Sequence, residues 1–143
     1  QLLEREVDVL LKGREEFLAE RPVAEIIRAV SRVAERFLDS GDELRKTSLA
    51  GIAHIAGLSS PMAACVLDGM AGDWLEEPLF TLLEAEFGDP RVLDDFVSTA
   101  PGASRTRAFG PELTFHVFSG NVPGVSVTSL IRALLVKSAS LAK

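Results

Sequence analysis

The sequence predicts an α/β protein in which a mostly helical amino-terminal region, 1–100, leads into a β-α-β unit at 101–143. Three observations carry this. Apolar residues recur at steps of three and four through most of the first hundred positions, the mark of helices with one buried face. The stretch STAPGASRTRAFGP at 98–111 then breaks both the helical and the strand period. After it, TFHVFSGNVPGVSVTSLIRALLVKSASLAK reads as strand, tight polar loop, helix, strand.

In order, residues 2–19 place Leu3, Val7, Leu10, Leu11, Phe17 and Leu18 at broadly helical spacing, with Gly13 as a weak point. Pro22 suits the first turn of a second helix. Val23, Ile26, Ile27, Val30, Val33, Ala34 and Phe37 form its apolar stripe, and Ser40-Gly41 ends it. Asp42 is placed to cap a third helix running through Leu49, Ile52 and Ile55 to Gly57. Ser60 as cap and Pro61 as helix-starting proline open a short fourth helix, MAACVLDGM. Trp74, Leu75, Leu79, Leu82, Leu83 and Phe87 mark a fifth, with Pro78 in its first turn and Gly88 as its stop. Asp89-Pro90 starts a short helix to Phe96. Leu113 to Phe118 is rich in β-branched and aromatic residues and reads as a strand. Val125 to Lys137 is helical, since Val127, Leu130, Ile131, Leu134 and Leu135 share a face, and Ser140 to Lys143 begins the next strand.

Composition removes several function classes. With 143 residues, 47% of them hydrophobic and 25% charged, the chain can bury the core of one ordinary domain. Its net charge of −6, with no basic block, does not favour nucleic acid, where phosphate neutralisation supplies most of the affinity. No apolar run of about 18 residues exists to span a bilayer. QLLEREVDVL does not read as a signal peptide. One cysteine, Cys65, permits no intrachain disulfide, and with only His54 and His116 beside it a structural metal is not expected; a reducing cytoplasmic setting is the simplest fit. Beginning at Gln1 and stopping at Lys143 inside a strand, the chain is expected to be a piece of a longer protein, because an unfinished strand leaves open edges.

The chemistry is expected at the loop Ser119-Gly120-Asn121-Val122-Pro123-Gly124, where a strand hands over to a helix; open α/β sheets bind ligands at such corners. The residues alone leave two readings of Asn121. Its amide can donate to a developing oxyanion, or it merely suits the turn, as asparagine often does. SGNVPG matches neither the dinucleotide fingerprint nor the phosphate-cradling loop. A lysine just past an apolar strand, as Lys143 is, is commonly a solvated edge charge. Cys65, in step with Met62, Val66 and Gly69, reads as a small buried helix residue. His54 reads as a packed or surface histidine, and His116, in the strand beside the loop, as a satisfied core histidine, with a contact to substrate or cofactor as the other possibility. Arg105 and Arg107 read as solvated loop charges, with a phosphate contact as the other possibility. Glu76-Glu77 and Asp94-Asp95 are adjacent pairs that diverge on a helix and form no shared acid–base site.

The segment RAFGPELTFHVFSGNVPGVSVTSLIRALLVKSASLAK resembles the acyl-CoA reductase family, the fatty-acid reductase component of bacterial bioluminescence systems and its non-luminous relatives. The resemblance is carried by Arg-Ala-x-Gly-Pro at 107–111, His116-Val117, Gly-Asn-Val-Pro-Gly at 120–124 and the Ser-Leu-Ile-Arg…Leu-Leu-x-Lys-Ser helix. Upstream, Arg-Pro-Val-x-Glu-Ile-Ile at 21–27, Gly-Leu-Ser at 57–59 and Gly-Asp-Pro-Arg-Val-Leu-Asp at 88–94 add to it. The resemblance implies a Rossmann-like, aldehyde dehydrogenase-type fold, with 101–143 the start of its nicotinamide cofactor domain. It implies that a fatty acyl group passes from acyl-CoA or another activated donor to a cysteine, and that NADPH, or NADH in its place, reduces the thioester to an aldehyde. Asn121 falls on the family's oxyanion-holding amide. Val117, Phe118, Ser119 and Gly120 fall on backbone lining the nicotinamide side of the cofactor, and Lys143 on a lysine that contacts the adenosine ribose. The family's nucleophilic cysteine lies downstream of this region, so the fragment alone is expected to be inactive. A homo-oligomer or acyl-transfer partner proteins fit such an enzyme. The alternative is a non-catalytic helical protein-interaction module or a remnant reductase segment.

Overall fold

The stripe from Val23 to Phe37 forms α2 (Val23–Leu38), and in the computed structural model four other helices pack against it. The structure describes residues 2–98, 102, 104–118 and 124–143. α2 buries Val23, Ile26, Ile27, Ser31 and Ala34, one residue per turn or nearly so. Against it lie α3 (Glu43–Ala56), α4 (Ser60–Asp73), α5 (Glu76–Phe87) and, from far along the chain, α6 (Val125–Leu135). Leu79 and Leu83 of α5, Val92 and Leu93 of a 3₁₀ turn (Pro90–Leu93), and Ile131 and Leu135 of α6 join α2 in one buried cluster with Ala71 and Trp74. Trp74 knits it further, edge-on to Phe37 at 6.0 Å and donating its indole N–H to the Thr128 hydroxyl of α6 at 3.3 Å.

Helix ends are satisfied largely as sequence dictates. The Asp42 carboxylate caps α3 by accepting from Leu44 N at 2.7 Å, and α3 ends at Gly57. The α5 amino terminus has no cap of its own; the buried Ser31 hydroxyl, reaching over from α2, accepts from Glu76 N at 3.1 Å. α1 (Leu2–Phe17) runs unbroken through Gly13.

β3 (Leu113–His116) and β4 (Ala139–Ala142) pair in parallel, Leu113 opposite Ala139 and His116 opposite Ala142, with α6 as their crossover. The ladder continues past the regular strands, Lys143 N donating to the His116 carbonyl and Phe118 N to the Lys143 carbonyl, each at 2.9 Å. α6 packs on both strands and α1 packs against β4. Over the described residues the protein is thus mostly helical with small sheets, which is compatible with the α/β reading.

Several expectations are corrected. The fourth helix is capped by Ser59, not Ser60. Its buried face is Ala63, Leu67 and Ala71, so Cys65, two positions round from that stripe, is exposed rather than buried. Trp74 closes α4 instead of opening α5; Leu75 is extended there and divides one apolar run into two helices. The segment from Asp89 makes only a 3₁₀ turn, with its amino end held by the Asp89 carboxylate. Within the irregular stretch, β1 (Val97–Ser98) and β2 (Arg105–Thr106) form a short antiparallel ladder.

Candidate functional site

The carboxyl ends of β3 and β4 meet at one edge, and the register decides what meets there. Val117 and Phe118 continue β3 beyond His116, and the two hydrogen bonds between His116–Phe118 and Lys143 hold that backbone against the last residue of the chain. Three of the residues expected to line a site are therefore brought together: Val117, Phe118 and Lys143. Val117 and Lys143 are exposed and Phe118 is half-buried. Ser119, Gly120 and Asn121, the other three, lie outside the described residues.

The far side of that loop is fixed by Gly124, the N-cap of α6, in the left-handed region at φ 83°. A side chain there would be strained, and its Cβ would collide with Met70 of α4. Met70 and Gly124, with Val125, Thr128, Ser129 and Arg132 along α6, border a cavity of about 460 Å³. Its size falls in the range of ligand pockets. Gly124 on its border is the residue that follows Pro123 in sequence.

His116, the last residue of β3, is only 5% exposed. Its Nδ1 is 2.9 Å from the Ser129 hydroxyl on α6 and its Nε2 is 3.2 Å from the Ser140 hydroxyl on β4. Its ring lies against Phe118, with centroids 5.4 Å apart. Hydroxyls both donate and accept, so either neutral tautomer is satisfied. The reading of His116 as a satisfied core histidine is correct. The identity of its partners was not legible, because Ser129 and Ser140 are 13 and 24 residues away in sequence.

A second buried polar cluster escaped sequence reasoning altogether. Lys137 is 6% exposed, and its ammonium lies 2.7 Å from the Asp94 carboxylate. The same carboxylate accepts from Val23 N at 2.9 Å and so caps α2. The Lys137 carbonyl accepts from Arg14 Nε of α1 at 2.7 Å. Lys137 also closes α6 through paired bonds, its own N–H to Leu134 O and Ser138 N–H to Ala133 O, each 2.9 Å. That is the helix-ending motif whose left-handed position glycine usually fills. Here lysine takes it, at φ 58°. The neighbouring Ser138, fully buried, bonds the Thr114 hydroxyl of β3 at 2.8 Å. Thus the Arg-Pro-Val, Gly-Asp-Pro-Arg-Val-Leu-Asp and Leu-Leu-x-Lys-Ser motifs, scattered in sequence, converge at Val23, Asp94 and Lys137. The adjacent carboxylates Asp94 and Asp95 do diverge: Asp95 accepts from Phe96 N instead.

The remaining candidates lie elsewhere in the bonding pattern. His54 is exposed on α3. The Arg105 guanidinium is spent on the Phe96 carbonyl, and that of Arg107 lies 4.9 Å over the Phe109 ring. Among the described residues no group of three or more His, Cys, Asp or Glu is arranged to hold a metal ion, and no single helix is long and apolar enough to cross a membrane.

Comparison with known proteins gives a consistent answer. The family model described as Acyl-CoA reductase (LuxC) matches residues 18–143. The chain is 24% identical over 127 residues to a long-chain acyl-protein thioester reductase of Photobacterium phosphoreum, covering 85% of this chain and 25% of that protein. It is 26% identical over 124 residues to the protein of the same description from Photorhabdus luminescens, covering 82% and 24%. For that from Vibrio harveyi it is 22% identical over 129 residues, covering 86% and 26%. The chain spans about a quarter of the length of these curated relatives. No solved structure matches it.

Proposed function

The chain belongs to the Acyl-CoA reductase (LuxC) family, and from that premise we propose that it forms the amino-terminal part of a reductase that converts a fatty acyl thioester to the aldehyde. The observation that carries the reading is the β3–loop–α6–β4 unit. Its two parallel strands end side by side, and the sequence that leaves the first of them leads to Asn121.

The proposed division of labour follows from what thioester reduction demands. The substrate carbonyl is already activated, so the protein must supply a nucleophile, a donor for the developing oxyanion and a fixed place for the hydride source. We assign the oxyanion donor to the Asn121 amide, three residues before Gly124, which borders a cavity with Met70, Val125, Thr128, Ser129 and Arg132. That cavity is the proposed approach path for the acyl thioester, from coenzyme A or another activated donor. A nicotinamide cofactor, NADPH in the proposed enzyme, supplies hydride. The backbone of Val117–Gly120 and the Lys143 side chain would hold it. The fit rests on the crevice itself: in open α/β sheets such ligands lie beyond the carboxyl ends of parallel strands, and these strands present Val117, Phe118 and Lys143 there. The unit is then the start of a Rossmann-like cofactor domain, 101–143, following a helical region, 1–100. The nucleophilic cysteine is assigned to the portion of the reductase that the relatives have beyond this match. Cys65, exposed on α4, is not assigned that role. A cytoplasmic setting and acyl-transfer partners remain part of the proposal.

The test uses the complete reductase. Replacing Asn121 by Ala is expected to slow aldehyde formation by about 10²–10³-fold, the usual cost of one oxyanion donor, with an unchanged melting profile. An unaltered rate refutes the assignment. One observation favours the second reading, a protein-interaction module: an apolar groove of about 400 Å³ between α2 and α6, walled by Val30, Val33, Phe37, Val127, Ile131 and Leu134. Saturable NADPH binding by the complete protein favours the reductase. Its absence, with tight association to another protein, favours the module.

A further inference from the structure

Several arginines of this chain are spent on structure. Arg14 and Arg105 donate to the Lys137 and Phe96 carbonyls, and Arg36, Arg45 and Arg91 pair with Asp42, Asp68 and Asp89. Arg132, in the last turn of α6, is exposed, and among the described residues no hydrogen bond or ion pair engages its guanidinium. A basic residue there suits the helix dipole, but its surroundings set it apart, because three cavities meet on it. The 460 Å³ cavity at Gly124 shares Thr128 and Arg132 with a second, of about 240 Å³, between α5 and α6. That one shares Leu82 and Arg132 with a third, of about 280 Å³, that reaches Phe87 and Val136. The result is one trough along α6 from Gly124 to Val136, roughly 18 Å at 1.5 Å of rise per residue. Its walls are mostly apolar, and Arg132 is the one cation among its described lining residues.

From this geometry we infer, resting on the reductase reading, that the trough receives the phosphopantetheine arm of the acyl donor and that Arg132 holds its phosphate. Coenzyme A and acyl carriers share that group. The arm is long, thin and uncharged, with apolar carbons broken by amides, and it ends in a phosphate. The trough has the matching order: mostly apolar walls, a hydroxyl, then a guanidinium. The Thr128 hydroxyl borders both the first and the second cavity. It accepts from the Trp74 indole N–H, so its own proton is left to donate to an amide carbonyl of the arm. About 12 Å of helix separates Gly124 from Arg132, a span that the extended arm covers. Guanidinium presents paired N–H donors that fit a phosphate, which makes arginine the stronger choice over lysine here. Asp73 and Glu86 also border the trough, and among the described residues neither is ion-paired with Arg132. Both are exposed, so their repulsion is screened over about 8–10 Å, whereas a phosphate bonded directly to Arg132 is not.

The experiment compares Arg132→Gln and Arg132→Lys with the unaltered protein in the complete reductase. The donors are a long-chain acyl-CoA, the matching acyl-pantetheine, which lacks the phosphate, and the same acyl group on a carrier protein. The preference for acyl-CoA over acyl-pantetheine is read as the ratio of their kcat/KM values. Arg132→Gln is expected to lower it about tenfold, the low end for one charge-assisted hydrogen bond, as suits an exposed site. Arg132→Lys, which keeps the charge and loses the fork, recovers part of that loss. A matching fall for the carrier-bound donor assigns the trough to both sources, and a fall confined to acyl-CoA assigns it to coenzyme A. An unchanged ratio in Arg132→Gln overturns the inference and leaves the reductase reading standing. A loss that Arg132→Lys does not lessen also overturns it, since the charge then plays no part. So does an equal rise in the NADPH dissociation constant, which would give Arg132 to the cofactor. A complete protein that reduces none of the three thioesters overturns the reductase reading itself.

Discussion

Removing the Asp94 carboxylate should cost more stability than removing the ammonium it pairs with. The two partners are unequally placed. The Lys137 side chain is 8% exposed and that of Asp94 28%. Asp94→Ala strands a cation in the interior and also strips the cap from Val23 N at the start of α2. Losing a cap costs about 1 kcal/mol, and leaving a buried charge without its partner about 3–5 kcal/mol. About 4 kcal/mol is expected. That is a large share of the 5–15 kcal/mol that holds a typical domain together. Lys137→Met leaves a carboxylate that keeps its bond to Val23 N and reaches water, so about 2 kcal/mol is expected, below the cost of stranding a fully buried charge. The double variant should cost less than the two single effects combined, by about 2 kcal/mol, since one interaction is otherwise counted twice. Urea unfolding followed by the circular dichroism of the helices reads all four proteins, with the slope checked for constancy. A cost below about 1 kcal/mol for Asp94→Ala, or a larger loss for Lys137→Met, would show that solvent already screens the pair and would refute this reasoning.

Two further outcomes are expected. A Cβ at Gly110 would collide with the Val136 carbonyl and lie 2.9 Å from the Val136 side chain at the end of α6; Gly110→Ala should therefore destabilise by about 1–3 kcal/mol in the same titration, and an unchanged midpoint would mean the 107–111 segment swings aside freely. The Arg36 guanidinium, helped by Leu44 N–H, holds the Asp42 carboxyl below its usual 3.8, and Arg91 does the same for Asp89. Because the folded values are depressed, these groups add stability that is present above pH 3.8 and lost as pH falls below it. Thermal scans across that acid range should show Asp42→Asn and Asp89→Asn flattening the decline, and parallel declines would reject the account.

Much of the architecture was legible because it depends on local pattern. The α2 stripe, the Asp42 cap and the Gly57 and Gly88 stops needed only neighbours in sequence. The order strand, helix, strand after residue 112 was equally readable, with boundaries shifted by a residue or two. What failed depended on distance. α4 carries small residues all round, so its spacing could not say that Ala63, Leu67 and Ala71 face inward while Cys65 faces out. Lys137 looked like an ordinary basic helix end; nothing local showed that Asp94, 43 positions earlier by number, would reach it. The capping of α5 by Ser31 is likewise a contact between elements, invisible to a scan for caps. For the site, Val117, Phe118 and Lys143 converge because strand register brings them together, a contact between residues 25 and 26 positions apart that no local pattern shows.

The family match begins at Leu18, yet α1 precedes it and lies along β4, with Arg14 holding the Lys137 carbonyl. The homologous stretch and the cooperative folding unit therefore do not share a border. A version trimmed to the shared region would lose the helix flanking its newest strand and bare apolar surface that invites self-association. Choosing where to cut such a polypeptide is a question for packing rather than for ancestry.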